Sequence, residues 1–139
     1  MKSRLFFITY TAANASLILY GALALLMPNI LLQPFSEQVY QFPEGALRAI
    51  AYLEGLFRLL GFFNLVLGTL GLLILRRFRK SGEKWNLRIV IASTILAYVG
   101  PIVFDNTVGI IGFFEIVELI LLGLMVVFGA MMLRDRGLN

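Results

Sequence analysis

Cysteine and histidine do not occur anywhere in the 139 residues. Their absence removes disulfides, thiolate nucleophiles, imidazole ligands for metal or haem, and the commonest acid–base side chain. Charge is scarce as well: 14% of the residues are charged against 60% hydrophobic, far too apolar for an ordinary soluble domain. Lipid is therefore the expected solvent. There is no P-loop, no dinucleotide glycine fingerprint and no HExxH; the GTLG of Gly68–Gly71 sits inside an apolar run and reads as a packing motif. No heptad run, low-complexity tract or internal repeat is present beyond a pairing of two helical hairpins. Carboxylates, hydroxyls and amides are what remain for chemistry, so no cofactor, no metal centre and no catalytic residue is expected.

What is present is four apolar runs: about 5–27, 46–75, 89–104 and 110–133. A span takes about 20 residues, so four of them with short connections fill one domain, 1–139, and leave no room for a soluble catalytic domain. The expected fold is all-α, an integral membrane bundle of four transmembrane helices. A cleaved signal peptide is the rival reading of the first run, because Thr11–Ala15 (TAANA) has small residues of the cleavage-site kind. The apolar character continues well past it, which favours a retained span. Pro101 removes a backbone donor from the third run and is expected to kink it around Ala97 and Tyr98.

Lys and Arg set the orientation. Lys2 and Arg4 precede the first run; Arg76, Arg77, Arg79, Lys80, Lys84 and Arg88 lie between the second and third; Arg134 and Arg136 follow the fourth. With four spans all three basic segments fall on one side, and the positive-inside rule makes both termini and the middle loop cytoplasmic. The formal charge of +4 is then a topology signal, with no nucleic acid implied. On the other side, the connection Pro28–Glu44 mixes Phe35, Tyr40 and Phe42 with polar residues and is expected to lie in the headgroup belt; Trp85 is expected to do the same on the inner side. The expected location is the cell membrane, as a multi-pass protein with the lipid bilayer as partner.

Ionisable residues inside spans cost roughly 2.5–3.5 kcal/mol each on insertion scales and usually have a partner. If Arg48 marks the outer surface, Glu54 lies ~9 Å and Arg58 ~15 Å deeper at the rise of a helix. From Phe113, Glu115 and Glu118 lie ~3 and ~8 Å down. Glu54 and Arg58 are i,i+4 neighbours in the favourable order, and an extended Arg58 is placed to meet Glu54, Glu118 and Glu115 in one outer-half cluster. On the second helix Glu54, Arg58, Gly61, Asn64 or Leu65, Gly68 and Gly71 share a stripe; on the fourth, Glu115, Glu118, Leu122, Met125, Gly129 and Met132 do. Asn14, Asn64 and Tyr98 fall near mid-depth, suited to hydrogen bonds between helices. Asp105 and Asn106 read as an outer turn and cap, and Glu115 as the start of a helix. Glu118, one turn deeper, needs a partner most.

The stretches GALALLMP, EGLFRLLGFFNLVLG, RKSGEKW and YVGPIVFDN, in this order, resemble small uncharacterised prokaryotic four-helix integral membrane proteins of the domain-of-unknown-function type. The resemblance covers most of the chain. It implies a four-helix fold and no activity.

Three functions fit these residues. The first is a binding or accessory protein, working as a homo-oligomer or as a subunit of a larger membrane complex, with the Glu54/Arg58/Glu118 cluster holding helices or a polar ligand. The second is a small transporter or channel in which Glu54 and Glu118 carry a proton or cation past Arg58. The third is a lipid-modifying enzyme with a protonated glutamate as general acid. The non-enzymatic reading comes first.

Overall fold

A computed structural model describes the backbone of residues 2–31, 46–108 and 113–137, and side chains within 3–31, 49–103 and 115–135. The described residues are all-helical: α1 (Lys2–Leu26), α2 (Ala46–Ser81), α3 (Lys84–Val108) and α4 (Phe113–Gly137). Each contains a stretch long and apolar enough to cross a membrane, Ser3–Leu26, Ala49–Ser81, Lys84–Val103 and Glu115–Asp135. Most of the Pro28–Glu44 connection, with Phe35, Tyr40 and Phe42, lies outside the described residues.

The helix ends follow local chemistry. Pro28 disfavours a helical Met27 before it, and α1 stops at Leu26, with a separate helical turn at 28–31. The second helix does not stop where the apolar run does. It continues from Leu75 through the basic stretch to Ser81, because Arg and Lys are good helix formers and Phe78 within that stretch is buried. What ends it is Gly82, at φ 67°, a left-handed conformation open to glycine at little steric cost. Its N–H closes on the Phe78 carbonyl at 2.8 Å.

Only Gly82 and Glu83 then separate α2 from α3, so the expected basic loop is mostly two helix ends. Asn86 pins this turn: its Nδ2 donates to Glu83 Oε2 at 2.7 Å and to Ser81 Oγ at 3.4 Å. The third helix, too, outruns its apolar stretch and includes Pro101 and residues 105–108. Asp105 and Asn106 are thus in the last helical turn of α3 rather than in an open connection; their side chains lie outside the described residues.

Two units make up the chain: Met1–Ser16 with Leu67–Asn139, and Leu17–Val66. In the first, Phe6 packs on Tyr10 and, edge-on, on Phe78, with ring centroids 4.4 and 6.3 Å away, and Phe7 stacks on Phe78 at 5.9 Å. These rings set the start of α1 beside the end of α2. A Cβ at Gly71 would overlap the Asn14 amide, so the two segments run antiparallel. Where lipid is the solvent, such contacts hold helices by close packing and hydrogen bonds, since apolar surface gains little by leaving acyl chains.

In the second unit, α1 and α2 meet backbone to backbone. A Cβ at Gly21 would stand 2.6 Å from the Gly61 carbonyl oxygen, and one at Gly61 would stand 2.7 Å from that of Gly21. Glycine at both positions is what permits this approach.

Candidate functional site

Buried polar side chains of the larger unit meet between α1 and α3, apart from Asn86 at the α2–α3 turn. Asn14, 1% exposed, donates through Nδ2 to the Tyr10 carbonyl at 2.8 Å and to Thr94 Oγ1 of α3 at 3.2 Å, and Thr94 can return a bond to Asn14 Oδ1 at 3.5 Å. With Gly71 of α2 against the same amide, Asn14 is the point where three helices meet. One turn toward the start of α1, Tyr10 donates to the Met125 carbonyl of α4 at 2.9 Å. Gly129 makes room for that hydroxyl: a Cβ there would stand 2.6 Å from Tyr10 Oη.

One step the other way along α1, the hydroxyls of Ser16 and of Tyr98 on α3 lie within hydrogen-bonding distance of each other and of the Ala13 carbonyl, 2.8 Å from Ser16 and 3.0 Å from Tyr98, so their two protons serve two of these three contacts at a time. Asn14 with Thr94 and Ser16 with Tyr98 show α1 and α3 running in the same direction. Ser16 is 10 residues before the end of α1, about 15 Å by helical rise, so this layer is well inside the helix. Every fully buried side-chain nitrogen or oxygen among the described residues has a partner.

The carboxylates expected at the site divide between the units. Glu118 and Glu115 are half-buried on α4, and both are engaged by neighbours. Glu118 lies on α4 in the same unit as Tyr98 and Ser16. Glu54, half-buried, and Arg58, exposed, belong to the smaller unit; among the described residues no ion pair joins them. Asn64, in the same unit, is buried at 8% exposure. The Arg48 side chain lies outside the described residues.

The expected stripes are buried in part: Arg58 is exposed, and Glu54, Leu65, Glu115, Glu118 and Leu122 are half-buried. Gly61, Asn64, Gly68 and Gly71 are buried on α2, and Met125, Gly129 and Met132 on α4. Three members of the polar layer carry no charge and drew no attention in the sequence: Tyr10, Ser16 and Thr94. Their one legible signal was spacing, since Tyr10 and Asn14, and Thr94 and Tyr98, are i,i+4 pairs that each share a helix face.

Chemically, the layer can hold helices together, since its buried donors and acceptors find partners within the chain. Compared with known protein families, curated proteins and solved structures, the chain matches none. The likeness to small four-helix membrane proteins therefore stands on the quoted sequence stretches alone.

Proposed function

We propose that this is a small multi-pass protein of the cell membrane acting as a binding or accessory subunit. Its four helices cross the bilayer with both termini and the α2–α3 turn in the cytoplasm. The observation that carries this reading is the use made of the buried polar groups in the larger unit. Asn14, Thr94, Ser16, Tyr98 and Tyr10 bond from helix to helix, as a scaffold requires, and their hydrogen-bonding capacity goes to neighbours in the same protein. The membrane part of the reading is supported by four helices of sufficient length and apolarity and by large apolar side chains left exposed, Leu19, Leu96, Ile120 and Val127 among them. The orientation follows from the basic residues of Arg76–Arg88 and of the two termini.

Glu118→Gln tests the function. Under the accessory reading the variant keeps the wild-type size-exclusion profile and thermal stability in detergent, and neither protein conducts protons or cations when reconstituted in vesicles holding a pH- or cation-sensitive dye. Flux through the wild type that the variant loses would overturn the reading in favour of transport through Glu118.

A further inference from the structure

The end of α2 carries a surface that helix packing does not use. Leu70 and Leu73 are 49% and 56% exposed, and Arg77 and Lys80 are exposed. Their spacing of three, four and three puts all four on one helical face, apolar at one end and cationic at the other. From Leu70 to Lys80 is about 15 Å by helical rise, which matches roughly half of a ~30 Å hydrocarbon core.

The cations are held in place rather than carried on a loose loop. Residues 76–81 are helical, Gly82 turns the chain sharply, and the Asn86 bonds to Ser81 and Glu83 fix the start of α3 against it. Arg79 lies with its guanidinium carbon 5.9 Å from the centre of the Phe7 ring, so a charge of this end rests at the level of the aromatic cluster. Trp85, 67% exposed just past the turn, is a residue suited to the boundary between headgroups and acyl chains. Between Arg76 and Arg88 six bases face one acid, Glu83, and Asn86 already occupies an oxygen of that carboxylate.

We propose that this face of α2 binds an anionic phospholipid, its phosphate held by Arg77 and Lys80 and its acyl chains lying along Leu73 and Leu70. The proposal rests on the membrane reading above and deepens it by naming a ligand. A zwitterionic lipid fits less well, because its own ammonium group meets a dense cationic surface. Juxtamembrane bases attract anionic headgroups with an energy that grows with each Lys or Arg near the surface, and arginine adds bidentate bonding to phosphate.

The test uses the full chain in nanodiscs of phosphatidylcholine with a minor fraction of phosphatidylglycerol, released into detergent for native mass spectrometry. Phosphatidylglycerol is expected to remain bound in preference to phosphatidylcholine. Arg77→Gln with Lys80→Gln is expected to lower its retention by roughly tenfold or more, while Arg134→Gln, at the end of another helix, leaves it unchanged. Circular dichroism of the double variant checks that its helices persist. Equal retention of both lipids, equal loss in the Arg134 variant, displacement of the lipid by millimolar inorganic phosphate, or preferential capture of RNA would each overturn the proposal. Alkaline carbonate extraction of the cell membranes in which the chain is expressed separates the two readings. A chain that stays with the membrane but shows no lipid preference defeats the lipid site alone, whereas a chain that is extracted defeats the membrane reading itself.

Discussion

The two units hold their helices together by opposite means. In Leu17–Val66 the contact between α1 and α2 is made by what is missing, two side chains: Gly21 and Gly61 let main chains approach until any Cβ would overlap a carbonyl. In Met1–Ser16 with Leu67–Asn139 the contact is made by what is added, hydroxyls and an amide that reach from α1 to α3 and α4. The first kind depends on shape and has no tolerance for volume. The second depends on chemistry, and each bond is worth only about 0.6 kcal/mol on average in a membrane, with about 1.7 as the largest measured. The difference teaches where the chain is brittle and where it is adjustable.

The largest effect should come from filling the glycine contact. In Gly61→Val the first added carbon meets the Gly21 carbonyl oxygen at 2.7 Å and the Leu25 nitrogen at 2.8 Å. Both are main-chain atoms of α1 that cannot rotate away. Overpacking costs about 1–3 kcal/mol, occasionally more, and the upper end is expected here, seen as a large fall in the midpoint of thermal unfolding in detergent. Gly55→Val is the control: nothing lies within 4 Å of a Cβ at Gly55, and its midpoint should hold. If both variants lose equally, close approach is not what holds this unit.

Gly71→Ala moves the same question into the larger unit, where the obstacle is a side chain. The new methyl overlaps the Asn14 amide, which must swing away and leave Thr94. A loss of about 1–2 kcal/mol is expected, from overpacking together with one broken interhelical bond. Asn14→Ala alone should cost less, about 1 kcal/mol, and the two changes together should be milder than their sum, because alanine at position 14 vacates the space that alanine at 71 needs. Strict additivity in that double-mutant cycle would show that Asn14 and Gly71 do not share one site.

The sequence made the first of these mechanisms legible and concealed much of the second. Helical periodicity alone placed Gly61, Asn64, Gly68 and Gly71 on one face, and all are buried. It singled out Asn14 and Tyr98 as polar residues inside spans, and both bond between helices. It suggested that they bond, with Asn64, to one another, whereas Asn14 bonds Thr94 and Tyr98 bonds Ser16; those partners are found only when the rotation and vertical offset of two helices are known, and neither is written in local spacing. The expected helix ends tracked hydropathy, which reports where lipid contact stops. The backbone goes on to Ser81 because basic residues are good helix formers. Of the expected cluster, Glu118 lies in the larger unit and Glu54 and Arg58 in the smaller, and Glu54 and Arg58 form no ion pair with each other among the described residues.

The α2–α3 turn offers a smaller perturbation that touches neither kind of contact. Gly82→Ala forces a β-carbon into a left-handed conformation at φ 67°, at a cost of about 1 kcal/mol. The helices should survive, and the midpoint should fall only by a few degrees. An unchanged midpoint would mean that the turn is not under conformational constraint.

The smallest expected effect is also the one that best separates packing from chemistry. Tyr98→Phe keeps the ring and deletes the hydroxyl that reaches both Ser16 and the Ala13 carbonyl. No orphan is left behind, since Ser16 still donates to Ala13 at 2.8 Å, so the loss should stay near the average of about 0.6 kcal/mol for an interhelical bond in a membrane. A penalty several times larger would mean that the hydroxyl supports more than a helix contact, and Glu118, half-buried on α4 of the same unit, is the group to examine. Repeating Tyr98→Phe in a Glu118→Gln background decides the matter. If the penalty persists, the hydroxyl serves the scaffold. If it vanishes, the hydroxyl and the carboxylate act as one unit, and the polar layer is a site for charge rather than a lock between helices.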